Sequence, residues 1–133
     1  MAYLQLDINE ELEYQLVGVS CHENDYRFVW KLNRAMSWNL ERADDLCLED
    51  AKGKRSFPRF LHTTEEYFSM TVIANHAGEG VAVPEWTHFD FLLKFENMPE
   101  DVVEQAVREL RRIPGVLAAA VADPEKLKTR LVL

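Results

Sequence analysis

From residue 87 to 95 apolar and polar positions alternate. Phe89, Phe91, Leu93 and Phe95 fall on one side of the chain, and His88, Asp90, Leu92 and Lys94 on the other. That period of two predicts a strand with one strongly apolar face. Pro99, followed by Glu100 and Asp101 at the positive end of the dipole, then opens a helix. Its single apolar stripe is Val103, Ala106, Val107, Leu110 and Ile113, Arg108, Arg111 and Arg112 suit its negative end, and Pro114-Gly115 stops it. Residues 116–122, Val-Leu-Ala-Ala-Ala-Val-Ala, read as a strand because a βαβ crossover has to return to the sheet. The expectation is that this tail folds back beside the strand it left.

The first half carries the same two periods. Residues 14–20, Tyr-Gln-Leu-Val-Gly-Val-Ser, have the β-branched and aromatic content of a buried strand. A helix follows at about 22–36, with Ser20 and Glu23 at capping-box spacing and Asn24 or Asp25 as later N-caps. At about 100° per residue Phe28, Val29, Leu32, Ala35 and Met36 gather on one face, flanked by Tyr26 and Trp30. Residues 45–50 predict a short strand. Residues 56–62 and 66–75 predict a hairpin closed by Thr63-Thr64-Glu65, and after the Ala77-Gly78-Glu79-Gly80 turn residues 81–83 return briefly along the sheet.

Together these elements predict an α+β domain spanning residues 1–133: a mainly antiparallel sheet carrying two helices, with a C-terminal βαβ half that is ACT-like or ferredoxin-like. No repeat, low-complexity tract or linker divides it.

Composition narrows the classes of function. A net charge of −8 opposes sequence-independent nucleic-acid binding, which depends on cations neutralising phosphates. No apolar run is long enough for a membrane helix, and the start lacks a basic and apolar leader, so the expected place is the cytoplasm. Residues 1–50 carry eleven acids against four bases, whereas Lys52, Lys54, Arg55 and Arg59 form a basic island that reads as a solvated loop. Cys21 and Cys47 lack metal-finger spacing and read as small buried apolar residues.

The stretch Val83-Pro84-Glu85-Trp86-Thr87-His88-Phe89-Asp90-Phe91 resembles the signature that names the IPExxxVDY family of small bacterial proteins, with Val83, Phe89 and Phe91 standing where that signature has Ile, Val and Tyr. Size and element order are similar over nearly the whole chain, including 22–36 and the Asp123-Pro124-Glu125-Lys126-Leu127 tail. The resemblance implies no activity. It carries over only the positions of Pro84, Glu85 and Asp90, and phenylalanine at 91 excludes a catalytic phenol there.

Candidate chemistry is sparse. Glu85 and Asp90 are the carboxylates closest to the motif, and structural roles, closing a turn and pairing with an arginine, compete with an acid/base site. Of the four histidines, His76 and His88 can approach each other with Glu85 as a third ligand, a metal trio without HExxH or HxH spacing. His62 and His76, at opposite ends of the predicted hairpin, lie roughly 30 Å apart and cannot share an ion. Cys21-His22-Glu23 sits at a strand-to-helix junction, where a helix N-terminus can depress a thiol pKa. There is no glycine-rich phosphate loop, nucleophile elbow or dinucleotide fingerprint, so no catalytic residue, metal or cofactor is assigned.

Tyr26 and Trp30 widen the apolar arc of the first helix beyond one sheet contact. Either Trp38 and neighbouring loops or a partner subunit should cover them. The leading expectation is therefore a non-catalytic interaction or small-ligand-binding module that acts as a homodimer, its further partner an unidentified small ligand or protein. The alternative is a small metal-assisted or carboxylate-based enzyme centred on Glu85 and Asp90 with His76 and His88.

Overall fold

The computed structural model describes residues 14–50, 53–64, 68–78 and 80–123. In chain order they form β1 (Tyr14–Cys21), α1 (Asp25–Met36), β2 (Glu41–Asp50), β3 (Gly53–Thr63), β4 (Ser69–Ala74), the two-residue strands β5 (His76–Ala77) and β6 (Gly80–Val81), a 3-10 turn (Pro84–Trp86), β7 (Phe91–Glu96), α2 (Glu100–Leu110) and β8 (Val116–Ala122). The main sheet has the order β2-β3-β4-β7-β1-β8, and every neighbouring pair is antiparallel. The fold is thus α+β, with two helices on a mainly antiparallel sheet.

One expectation about the C-terminal half is corrected. β8 does not lie beside β7; β1 is inserted between them, Val17 opposing Leu93 on one side and Val121 on the other. The β7-α2-β8 unit is therefore a split βαβ, the ferredoxin-like variant of the crossover. Both edges of β1 are satisfied in this way, and its core positions Leu16, Val17 and Val19 are completely buried.

Both helices cover one face. Phe28, Val29 and Leu32 of α1 and Val103, Ala106, Val107 and Leu110 of α2 pack on Val17, Val19, Val72, Phe91, Leu93 and Phe95. Phe28 stacks on Phe91 with ring centroids 4.3 Å apart. Each of the valine, leucine and phenylalanine side chains among them contributes about 1.5–3 kcal/mol by leaving water. Asn24, not Ser20, caps α1: its side chain accepts from Arg27 N, while Ser20 Oγ donates to His88 O at 2.7 Å.

The opposite face is covered by the described residues of the β4–β7 connection, 75–78 and 80–90. Residues 80–81 pair with 76–77 in a separate small hairpin instead of returning along the main sheet. Leu16, Leu46, Phe57, Ile73, Val83, Phe89 and Leu92 form a second core beneath this strap. Here the alternation in the sequence misleads. Phe89 precedes β7, its N–H bonds Trp86 O within a turn, and its ring packs with Leu92 and Leu16, not with Phe91, Leu93 and Phe95. It lies directly on Gly18, where a Cβ would come within 2.3 Å of the ring.

Among the described residues no helix is long and apolar enough to cross a membrane.

Candidate functional site: the motif strap and the interhelical groove

The motif forms the strap, and Asn75 holds it. This asparagine ends β4, is fully buried, and has its hydrogen-bonding groups engaged. Its Oδ1 accepts from Val83 N at 2.9 Å, and its Nδ2 donates to Trp86 O and Phe89 O, both at 2.9 Å. Its backbone accepts from Ala82 N and donates to Asp90 O. A buried amide satisfied this fully rigidifies its surroundings, whereas a half-satisfied one would cost the fold.

The carboxylates and histidines singled out from the sequence belong to this strap. Asp90 Oδ2 accepts from Cys21 N at 2.8 Å, so it ties the strap to the end of β1 through a backbone amide rather than through an arginine. His76 Nε2 donates to Thr87 O at 2.8 Å, and the His88 ring lies on Phe89. Glu85 sits exposed on the 3-10 turn. Among the described residues no three His, Cys, Asp or Glu side chains converge to hold a metal. His62 lies far from the strap on the β3 side, accepting from Asn39 N through Nδ1.

A cleft of about 450 Å³ opens between the strap and the start of α1, lined by Cys21, His22, Asn24, Pro58, His76 and Asp90 among others. Its thiol is not activated. Burial pushes the Cys21 pKa up, helped by the nearby Glu23 and Asp90 charges, and outweighs the lowering by a backbone hydrogen bond at Glu23 and by Lys31. The depression considered for a cysteine at a helix start is thereby reversed. Cys47 departs from its expectation in another way: it is exposed, because Leu46 and Leu48 on either side of it turn to the second core. Of the basic island, Lys54 is exposed and Arg59 donates to Asp44 O, while Lys52 lies outside the described residues.

The helix layer holds another concavity, a groove of about 540 Å³ between α1 and α2. Lys31 forms its back wall, its Nζ donating to Glu23 Oε1 at 2.8 Å and to Pro114 O at 2.7 Å. The Lys31 hydrogen bond, seconded by Arg27, holds the Glu23 carboxyl below the usual glutamate range. Gly115, at φ +97, leaves the space this clip needs: a Cβ there would stand 3.2 Å from Lys31 Nζ. Ala35, Ile113 and Pro114 supply apolar lining, Arg34 and Arg112 supply positive charge, and Glu109 is the one acid along the groove.

Trp30 stands at the groove with 55 % of its surface exposed, and the Arg34 guanidinium lies 4.9 Å from its ring centroid. Tyr26, one turn earlier, is 66 % exposed and touches Phe60 only edge-on. The cover that Trp38 was expected to provide is missing, because Trp38 packs on Phe95 at the other end of α1. Lys31 and Arg34 lie on the part of α1 outside its apolar arc. The i,i+4 spacing of Trp30 and Arg34, which brings a cation over a ring, was the available signal. Asn75 and Gly18 carried none. Compared with known proteins, the chain matches no family model, and no curated protein is similar to it at a significant level.

Proposed function

We propose that the chain is a non-catalytic binding module that acts as a homodimer and takes, on the α1–α2 groove, a ligand combining a flat apolar part with a negative charge. The observation that carries this reading is the half-exposed Trp30 ring, braced by Arg34 beside a concavity of about 540 Å³. Ligand sites in proteins are of this size, apolar with a few convergent polar groups. An aromatic ring offers a stacking platform, and Arg34 and Arg112 against Glu109 favour an anion over a cation. Membership of the IPExxxVDY family and a cytoplasmic place belong to the same proposal, supported by the residues of the 83–91 motif.

The test uses anilinonaphthalene sulfonate, an aromatic anion whose emission rises when it leaves water. The folded protein should bind it saturably, and Trp30→Ala and the double change Arg34→Gln, Arg112→Gln should each weaken binding about tenfold, the loss of one stacking or charge-assisted contact. Melting temperature should stay within a few degrees, because these side chains lie at the surface. Equal binding by the native protein and Trp30→Ala would remove the groove reading. Native mass spectrometry of the freshly purified protein provides the complementary check, a retained mass that is absent from Trp30→Ala.

A further inference from the structure

We infer that a second copy of the chain adds to the sheet at β8, pairing antiparallel with its own β8 about a two-fold axis. The inference rests on the homodimeric part of the function proposed above and leaves the Trp30 groove free.

The two edges of the sheet differ. β2 is guarded by charge: Glu41, Arg42, Asp44 and Glu49 are exposed along it, whereas the register irregularity is common to both edges, between Ala43 and Leu46 on β2 and at Leu117 on β8. Charges of this kind keep an edge strand from pairing with another chain. β8 has neither a charge nor a proline in its seven residues, Val-Leu-Ala-Ala-Ala-Val-Ala. Leu117 and Val121 are exposed to 65 % and 53 %, and Ala118 and Ala120 are exposed as well.

The backbone of β8 faces outward at defined positions. Asp90 N donates to Val19 O, so Val19 turns its polar groups toward the β7 side, and the even-numbered residues of β1 are the ones that bond β8. Gly18 opposes Ala120 and Ser20 opposes Ala118. The N–H and C=O of Ala119 and Val121 therefore point away from β1. The Ala119 carbonyl accepts from Arg111 Nε at 2.9 Å, which fits its outward direction and means that a second strand has to displace this side chain.

Charge on α2 selects the occupant. A hollow of about 220 Å³ beside the edge is lined by Glu104, Val107, Arg108, Arg111, Ala120 and Val121. The acid stands toward the start of the helix and the two bases toward its end. A two-fold axis perpendicular to the sheet reverses the direction of the neighbouring α2, so Glu104 of each copy meets the basic end of the other. An isologous contact needs this kind of self-complementarity. When the strands join, an N–H of the second copy takes the place of Arg111 at the Ala119 carbonyl, and the guanidinium is released toward the second copy's Glu104.

Sedimentation equilibrium at micromolar concentration, with hydrogen exchange read by NMR, tests the contact. The native protein should dimerise, and the Ala119 and Val121 amides should be protected in proportion to dimer. Val121→Lys, at an exposed position, should weaken dimerisation about tenfold or more while the far-UV circular dichroism of the folded chain stays unchanged; Leu117→Lys gives the same readout if that variant fails to fold. Glu104→Arg should weaken association, and Glu104→Arg with Arg111→Glu should restore it. A dimer that both lysine variants leave intact overturns the β8 contact while homodimerisation stands. A strict monomer overturns both, and the anilinonaphthalene sulfonate titration still decides the groove separately.

Discussion

Replacing Gly18 by alanine isolates the contact between the motif and the sheet. Gly18 has no left-handed backbone requirement, and alanine at an ordinary strand position is favoured over glycine by about 0.5–1 kcal/mol. At this position the added Cβ would come within 2.3 Å of Phe89 Cδ2 and Cε2 and 2.5 Å of Cγ. The obstacle is not the loose end of a side chain. It is a ring near its own backbone, in a segment whose carbonyl at 89 is held by buried Asn75. Either the strap lifts or the ring leaves the second core. Overpacking costs about 1–3 kcal/mol and full loss of a buried phenylalanine about 3–5, so Gly18→Ala should destabilise by about 2–4 kcal/mol. At this chain length that lowers the melting temperature by roughly 10 °C. Thermal and urea unfolding followed by circular dichroism give the value, and a cycle with Phe89→Ala gives its origin. Once the ring is gone, the alanine at 18 should be neutral or gain about 0.5–1 kcal/mol, a coupling far outside simple additivity. A stabilising Gly18→Ala in the native background would refute the packing of the strap on β1.

Three further outcomes are expected. Asn75→Ala strands the Val83 amide and the Trp86 and Phe89 carbonyls, and should cost about 3–5 kcal/mol in urea unfolding, with Asn75→Asp restoring only the Val83 acceptor and remaining unstable. Iodoacetamide should modify the native protein once, at exposed Cys47, and reach Cys21 only on unfolding, because burial both shields that thiol and keeps it protonated; tryptic mass spectrometry assigns the adduct. The Glu23 carboxyl has its folded pKa lowered from an ordinary value of 4.5, so the stability it contributes should be complete above that value and decline as pH falls through it toward the lower folded value. The melting-temperature difference between the native protein and Glu23→Gln should therefore be present at neutral pH and vanish in acid.

Most elements were legible because each buries one face by a simple period. Val103, Ala106, Val107 and Leu110 of α2 and Phe91, Leu93 and Phe95 of β7 lie where the periods place them. The period failed at Phe89 for a local reason: the turn bond to Trp86 O ends extended geometry before residue 91, so two-residue spacing no longer fixes the face. It was silent on the neighbour of β8, since Val17 and Val19 can pair with any apolar strand and the choice is made by the whole sheet. Asn75 looked like an ordinary polar strand end. Its role depends on one backbone amide and two carbonyls, eight to fourteen positions later, curling over it, a relation that no short window contains. Trp30 was legible as an anomaly, but its exposure was not, because Trp38 could have covered it and instead packs on Phe95.

The positions that suggested chemistry from the sequence are largely engaged in holding the strap. Val83 gives its amide to Asn75, Phe89 fills the space over Gly18, and Asp90 accepts from Cys21 and donates to Val19. A proton-transferring role for Asp90 would have to compete with a backbone amide at 2.8 Å, and His76 is already directed at Thr87 O. The groove is built the other way round. Trp30, Arg34 and Arg112 contribute surface to it while the apolar contacts that carry α1 are made by Phe28, Val29 and Leu32 on the opposite side of the same helix. Under the proposed function, the strap and the recognition site thus fall on different faces of one sheet. Changes in the strap should move unfolding free energy and leave the ligand affinity of the folded fraction alone, and changes in the groove should do the reverse; a strap variant that remains folded yet loses binding would show that the two faces are coupled through β1.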